Sequence, residues 1–116
     1  MPVSPTNVVR GLFDAYNERD IETFLDYFHD DAAVYGPDGE VMERGREAMR
    51  ATFSDIFTRM PELHADTRAE MEVGDWVAIH SRVPEWKTAD GSTREMQWIE
   101  VYRVVDGKVT ELRLYR

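Results

Sequence analysis

Pro61 separates two hydrophobic periods, and that break limits the fold more than any other feature of the sequence. Upstream of it, apolar side chains recur three and four residues apart, the spacing of one helix face. Val9, Leu12, Phe13 and Tyr16 form the first such stripe. It follows a Ser4-Pro5 start signal, in which serine caps and proline suits the first turn. This helix is expected to stop near Asn17-Glu18-Arg19. Asp20 can cap a second helix, with Ile21, Phe24, Leu25 and Phe28 on its apolar side. Gly45 opens a third, buried through Met49, Phe53, Ile56, Phe57 and Met60, and Pro61 ends it. Between the second and third lie a short strand over residues 32–35, a Gly36-Pro37-Asp38-Gly39 turn and a return over 40–44.

Downstream of Pro61 the period is two. Leu63, Ala65, Thr67, Ala69, Met71 and Val73 alternate with polar residues, which predicts a strand with one wet face. Gly74-Asp75 turns the chain into a strand over 76–86. Residues 89–92 turn it into a third over 93–105, and Asp106-Gly107 leads to a fourth over 109–116. Three helices followed by an antiparallel meander predict an α+β fold.

With 116 residues the sequence suits one domain along its whole length, and its 42% hydrophobic content supplies a core. The absence of cysteine rules out disulfides, thiolate metal sites and a cysteine nucleophile. A net charge of -9 without a basic cluster sets the chain against nucleic acid. No apolar run approaches the roughly 20 residues that span a bilayer. The N-terminus lacks a charged-then-apolar signal pattern. A cytoplasmic protein is expected, with neither membrane nor nucleic acid as partner.

The stretch FHDDAAVYGPDG, residues 28–39, invites a metal-site reading. Neighbouring helical positions lie about 100° apart around the axis, so His29, Asp30 and Asp31 cannot converge on one ion there. No second ligand sits four residues on, as metalloenzyme helices require. The stretch reads as a helix end and a turn, no metal is expected, and Tyr35 is its candidate pocket residue.

The last hairpin, WIEVYRVVDGKVTELRLYR, holds a stronger signal. Trp98, Glu100 and Tyr102 share one strand face by alternation, so an acid stands between two large aromatics. A two-residue Asp106-Gly107 loop would set Glu100 opposite Arg113 as a cross-strand ion pair. A three-residue loop with a glycine bulge would set Glu100 opposite Leu112 and Trp98 opposite Leu114. The acid would then sit among apolar groups with a raised pKa, suited to donating a hydrogen bond or shuttling a proton. The pairs His80 with Arg82 and His64 with Asp66 are placed on wet sheet faces. Ser54, Ser81 and Ser92 lack a nucleophile elbow, and no glycine-rich phosphate loop precedes a helix.

Four stretches carry a family resemblance: VVRGLFDAYNERDIETFLDYFHDDAAVYGPDG, GREAMRATFSDIFTRMPELHAD, GDWVAIHSRV and IEVYRVVDGKVTEL. With the order of elements, they resemble the SnoaL-like proteins, named for a polyketide cyclase. These belong to the nuclear-transport-factor-two-like, or ketosteroid-isomerase-like, superfamily. The resemblance implies a cone, with a curved, mostly antiparallel sheet wrapped around a long helix and an apolar pocket between sheet and helices. It also implies a homodimer made through the outer sheet face, and a bulge at the last hairpin turn that favours the second register. Trp98, Glu100, Tyr102, Leu112 and Leu114 would then line the pocket, closed from the helix side by Tyr16, Tyr35, Phe53 and Phe57.

Set against the ketosteroid isomerases, the family's catalytic phenol falls on Leu12, its supporting phenol on Phe53 and its catalytic aspartate on Gly36. Only the protonated acid of the oxyanion hole has a counterpart, at Glu100, so that mechanism is not expected. Relatives resembling limonene-epoxide hydrolase need an arginine between two aspartates, and only Arg116 shares the face of Glu100. The SnoaL-like cyclases use an acid/base carboxylate with no metal or cofactor. The resemblance therefore implies a cofactor-independent isomerase, cyclase or dehydratase acting on an apolar or aromatic small molecule. Glu100 would be the acid/base, assisted by Tyr102 or Tyr35. Two other readings stay open. One is a non-catalytic binder in which Glu100 orients a ligand. The other is an interaction module whose outer face, with Ile99, Val101 and Tyr115, meets partners.

Overall fold

Capping residues set the limits of the first two helices in the computed structural model, which describes residues 4–115. Helix α1 (Pro5–Glu18) starts with the Ser4 side chain accepting from the Asn7 N–H. It ends where Arg19 takes a left-handed φ of 56° and its N–H closes on the last carbonyls. Asp20 then accepts from the Thr23 N–H and opens α2 (Ile21–Asp26). Gly45, at φ 86°, precedes α3 (Arg46–Arg59), a conformation that glycine adopts without strain.

The six strands are β1 (Phe28–Tyr35), β2 (Val41–Arg44), β3 (Asp66–Val73), β4 (Trp76–Lys87), β5 (Thr93–Val105) and β6 (Lys108–Tyr115). They form one sheet in the order β2-β1-β6-β5-β4-β3. Only β1 and β6 run parallel; every other neighbouring pair is antiparallel. Helix α1 buries Val8, Val9, Leu12, Phe13 and Ala15 against the inner sheet face, where Val77, Ile79, Tyr102 and Leu112 meet it.

One element departs from the periodicity. Phe28 does not end α2; it begins β1, four residues ahead of the predicted start. It pairs with Val109 of β6, and an irregular segment follows before regular pairing resumes at Ala33. The Arg46 guanidinium holds this segment by donating to the Phe28 carbonyl at 2.9 Å (Nε) and pairing with Asp30 at 3.0 Å. His29, Asp30 and Asp31 therefore lie exposed on a bulged strand rather than at a helix end.

Four further bulges decide which side chains face inward; the one in β2 leaves Met42 unpaired between Val41 and Glu43. Arg68 is the extra residue in β3, between Thr67 opposite Ser81 and Ala69 opposite His80. It splits the alternating set that the sequence places on one face. Ala65 and Leu63 are buried, whereas Met71 and Val73, beyond the bulge, are 65% and 66% exposed on the outer face. The acids between them turn toward α1, where Glu70 pairs with Arg10 and Glu72 accepts from Thr6. β3 is thus an edge strand with no buried apolar face, its inward side bridged to α1 through acids, not a strand with one apolar and one wet face.

In β4, Pro84 and Glu85 stand against one residue of β5, which turns Trp86 inward beside Trp98. In β6 the extra residue is Thr110. The last turn is a two-residue loop, with Asp106 at φ 52° and Gly107 at φ 77°, as Asp-Gly favours. Val105 pairs with Lys108 and Val104 with Val109; past Thr110, Glu100 faces Leu114 and Tyr102 faces Leu112. Neither predicted register holds. The loop is the short one, but the bulge shifts the ladder so that Arg113 lies opposite Val101, on the outer face.

Candidate functional site

A cavity of about 260 Å³ lies between α1, α3 and the inner sheet face. Leu12, Phe13 and Tyr16 of α1 and Phe53 and Ile56 of α3 form its helical wall. The sheet supplies an apolar floor through Val34, Leu112 and Leu114. Trp98, Glu100 and Tyr102 stand together on this floor, all inward by strand alternation.

Glu100 is 8% exposed, and its carboxyl accepts two hydrogen bonds, from the Trp98 indole N–H at Oε2 and the Tyr102 hydroxyl at Oε1. Burial pushes its pKa up; the hydrogen bonds from Tyr102, Trp98 and Ser81 oppose that shift without reversing it. The Ser81 contact is weak, because its buried Oγ makes no geometrically sound hydrogen bond among the described residues. Burial also raises the Tyr102 phenol, as does the charge that Glu100 would carry. Tyr16 is raised for the same two reasons. Every acidic proton in this cluster is held more tightly than in water.

Of the residues the sequence singles out, Tyr16, Phe53, Trp98, Glu100, Tyr102, Leu112 and Leu114 line the cavity. Two do not. Tyr35 follows the inward Val34 on β1, so alternation sends it to the outer face, where the Arg113 guanidinium lies 4.3 Å from its ring centre. Phe57 sits behind the wall, packed edge-on against Tyr16 at 5.3 Å and close to Phe24 and Phe53. Arg116 lies outside the described residues.

The cavity also holds residues that the sequence conceals. Trp86 comes in through the Pro84-Glu85 bulge, its ring perpendicular to that of Trp98 at 5.7 Å. Glu43 of β2 is a second carboxylate in the lining and accepts from the Thr52 hydroxyl of α3. Its inward placement follows from pairing with Val34, which nothing in a four-residue strand announces. Met42 and Met96 complete this side.

The fold and the chain have close company. The model of the SnoaL-like domain matches residues 9–112. No curated protein matches the sequence. An uncharacterised protein described as cystatin-fold, from Novosphingobium aromaticivorans, superposes with a TM-score of 0.89 at 26% identity, over 98% of this chain and 99% of its own. IdmH of Streptomyces antibioticus, described as a proposed polyketide cyclase, gives 0.78 at 23%, over 97% and 91%. A proposed SnoaL-like polyketide cyclase from Jannaschia sp. CCS1 gives 0.80 at 17%, over 96% and 83%. With three N-terminal helices, a six-stranded and mostly antiparallel sheet, and a family match over nearly all its length, this chain belongs to the SnoaL-like domain family of the nuclear-transport-factor-two-like superfamily.

Proposed function

We propose that the chain binds an apolar or aromatic small molecule in the cavity and that Glu100 acts on it as a proton or hydrogen-bond donor, without a cofactor. The observation that carries this reading is the Glu100 carboxyl itself, buried on an apolar floor and gripped by two donors. A carboxyl kept neutral in such a place can donate to a ligand oxygen and stabilise charge developing there. Tyr102 is occupied in positioning that carboxyl. The Tyr16 hydroxyl, lining the same cavity and bonded to no protein acceptor among the described residues, is the free second donor. The relatives described as polyketide cyclases support a carbonyl-bearing ligand.

A probe ketone tests this. In D2O, the wild-type protein should speed exchange of the α-protons of 2-tetralone, and Glu100→Gln should slow that exchange about 100-fold or more. Binding of 2-tetralone with no acceleration would leave a non-catalytic binder. Equal exchange by both proteins would remove Glu100 from the reaction.

A second proposal concerns the partner. The outer sheet face carries Met71, Val73, Trp76, Ile99 and Tyr115, all exposed. A second copy of the chain is the occupant we assign to it, giving a homodimer with both cavities turned away from the interface.

A further inference from the structure

The two carboxylates of the cavity stand at opposite sides of one floor. Glu43 pairs with Val34, Val34 with Leu112, and Leu112 with Tyr102, so these four residues form a single row across β2, β1, β6 and β5. Three strand spacings separate its ends, about 14 Å measured across the sheet. Glu100 stands in the next row, opposite Leu114. Between the two acids the surface is apolar.

Among the described residues, the side chains lining this space can carry negative charge but no positive charge. Glu43 and Glu100 are the only ionisable acids or bases in the lining apart from the tyrosine phenols, and no lysine, arginine or histidine is among the lining residues. Phe13, Tyr16, Phe24, Phe53, Trp86 and Trp98 surround them, and aromatic faces attract cations. Of the arginines on the floor strands, Arg113 points to the outer face over Tyr35, and Arg94 of β5 reaches the Sδ of Met96 at 3.2 Å, at the Trp86 end and not beside Glu43. An anion entering beside Glu43 would lose its water and gain no positive partner among the described lining residues.

Glu43 is the acid placed to use this field. Its neighbour Met42 lines the cavity and is 47% exposed, so the mouth opens on the β2 side. Thr52 is its hydrogen-bond partner, and it takes part in no salt bridge among the described residues. A half-buried carboxylate facing an aromatic cavity without a cation lacks the counter-charge that such groups normally find. At the other end, Glu100 is already engaged by two donors.

We propose that the cavity selects ligands with a protonated amine at one end of an apolar body, and that Glu43 receives the ammonium group. The body then lies along Val34 and Leu112 toward Trp98 and Glu100. This rests on the reading of the cavity as a ligand site and adds the charge class of the ligand.

Calorimetry at pH 7 with three probes of one shape decides the matter: 2-naphthylmethylammonium, 2-naphthalenemethanol and 2-naphthoate. The ammonium should bind about tenfold tighter than the alcohol, and the carboxylate weakest of all. Read as the ratio of ammonium to alcohol affinity within each variant, Glu43→Gln should bring the preference to about threefold or less, and Glu100→Gln should keep it. The proposal is overturned if naphthoate binds as well as the ammonium, or if Glu43→Gln keeps the full preference. Alcohol binding with no charge preference sinks this inference alone. If none of the probes binds, the ligand-site reading falls, and the inference falls with it.

Discussion

Glu100 is buried in an apolar setting that disfavours its charge, beside two donors that favour it, and burial wins. The consequence for stability has a definite sign. Its folded-state pKa lies above the unfolded value of about 4.3. Between those two values the folded protein holds the extra proton, so stability falls as pH rises, by up to about 1.4 kcal/mol per pH unit. The fall stops above the folded-state pKa. Glu100→Gln has nothing to ionise there and should escape this decline. Urea unfolding from pH 4 to 8 should therefore show the mutant gaining on wild type as pH rises. A wild type that gains on the mutant instead would mean a charged Glu100 with a cationic partner. At this scale the sequence was informative for one acid only. Trp98-Ile99-Glu100-Val101-Tyr102 shows an acid between aromatics on one strand face, whereas Glu43 sits in a short strand whose inward side only the pairing with Val34 reveals.

Elements owe their limits to local chemistry and their faces to bulges, and the first is the more legible from the chain. The Ser4 and Asp20 caps, the Gly45 entry and the Asp106-Gly107 turn all act where their residue types predict. Of the extra residues, Pro84 alone carries a sequence signal, since proline inside a paired strand marks a bulge, while Met42, Arg68 and Thr110 carry none. Each one inverts the facing of everything beyond it. That is why Met71 and Val73 point away from the core, why Trp86 enters the cavity, and why Glu100 meets Leu114. The link between α3 and β3 is fixed from outside by Asn17 of α1. Its side chain accepts from the Ala65 N–H at 2.8 Å and donates to the Ala65 carbonyl at 3.0 Å, and Arg19 donates to the Leu63 carbonyl at 2.7 Å. Asn17→Ala leaves both Ala65 groups without their partner and should cost about 1–3 kcal/mol in denaturant unfolding. A loss under about 0.5 kcal/mol would show that the link holds itself.

On the scale of the whole molecule, the two sheet faces divide the labour. The inner face builds the cavity. The outer face arrays Ala69, His80, Ile99 and Tyr115 in one cross-strand row and Met71, Ala78, Val101 and Arg113 in the next. Exposed apolar groups at that density are unusual on a lone chain. Sedimentation should give the mass of a dimer, and Ile99→Glu should weaken association by about 2 kcal/mol or more while leaving the naphthyl-probe affinity intact. A wild type that stays monomeric at high concentration would refute the dimer. None of the helices is long and apolar enough to cross a membrane among the described residues. The perpendicular Trp86–Trp98 pair has an optical consequence. Two indoles so close couple their electronic transitions, giving circular dichroism a bisignate band that a ligand wedged between them would alter. Trp76, the remaining tryptophan, lies on the outer face beneath Arg103, so its emission would follow association instead. The molecule thus carries two separate spectroscopic reporters, one for an occupied cavity and one for a covered sheet.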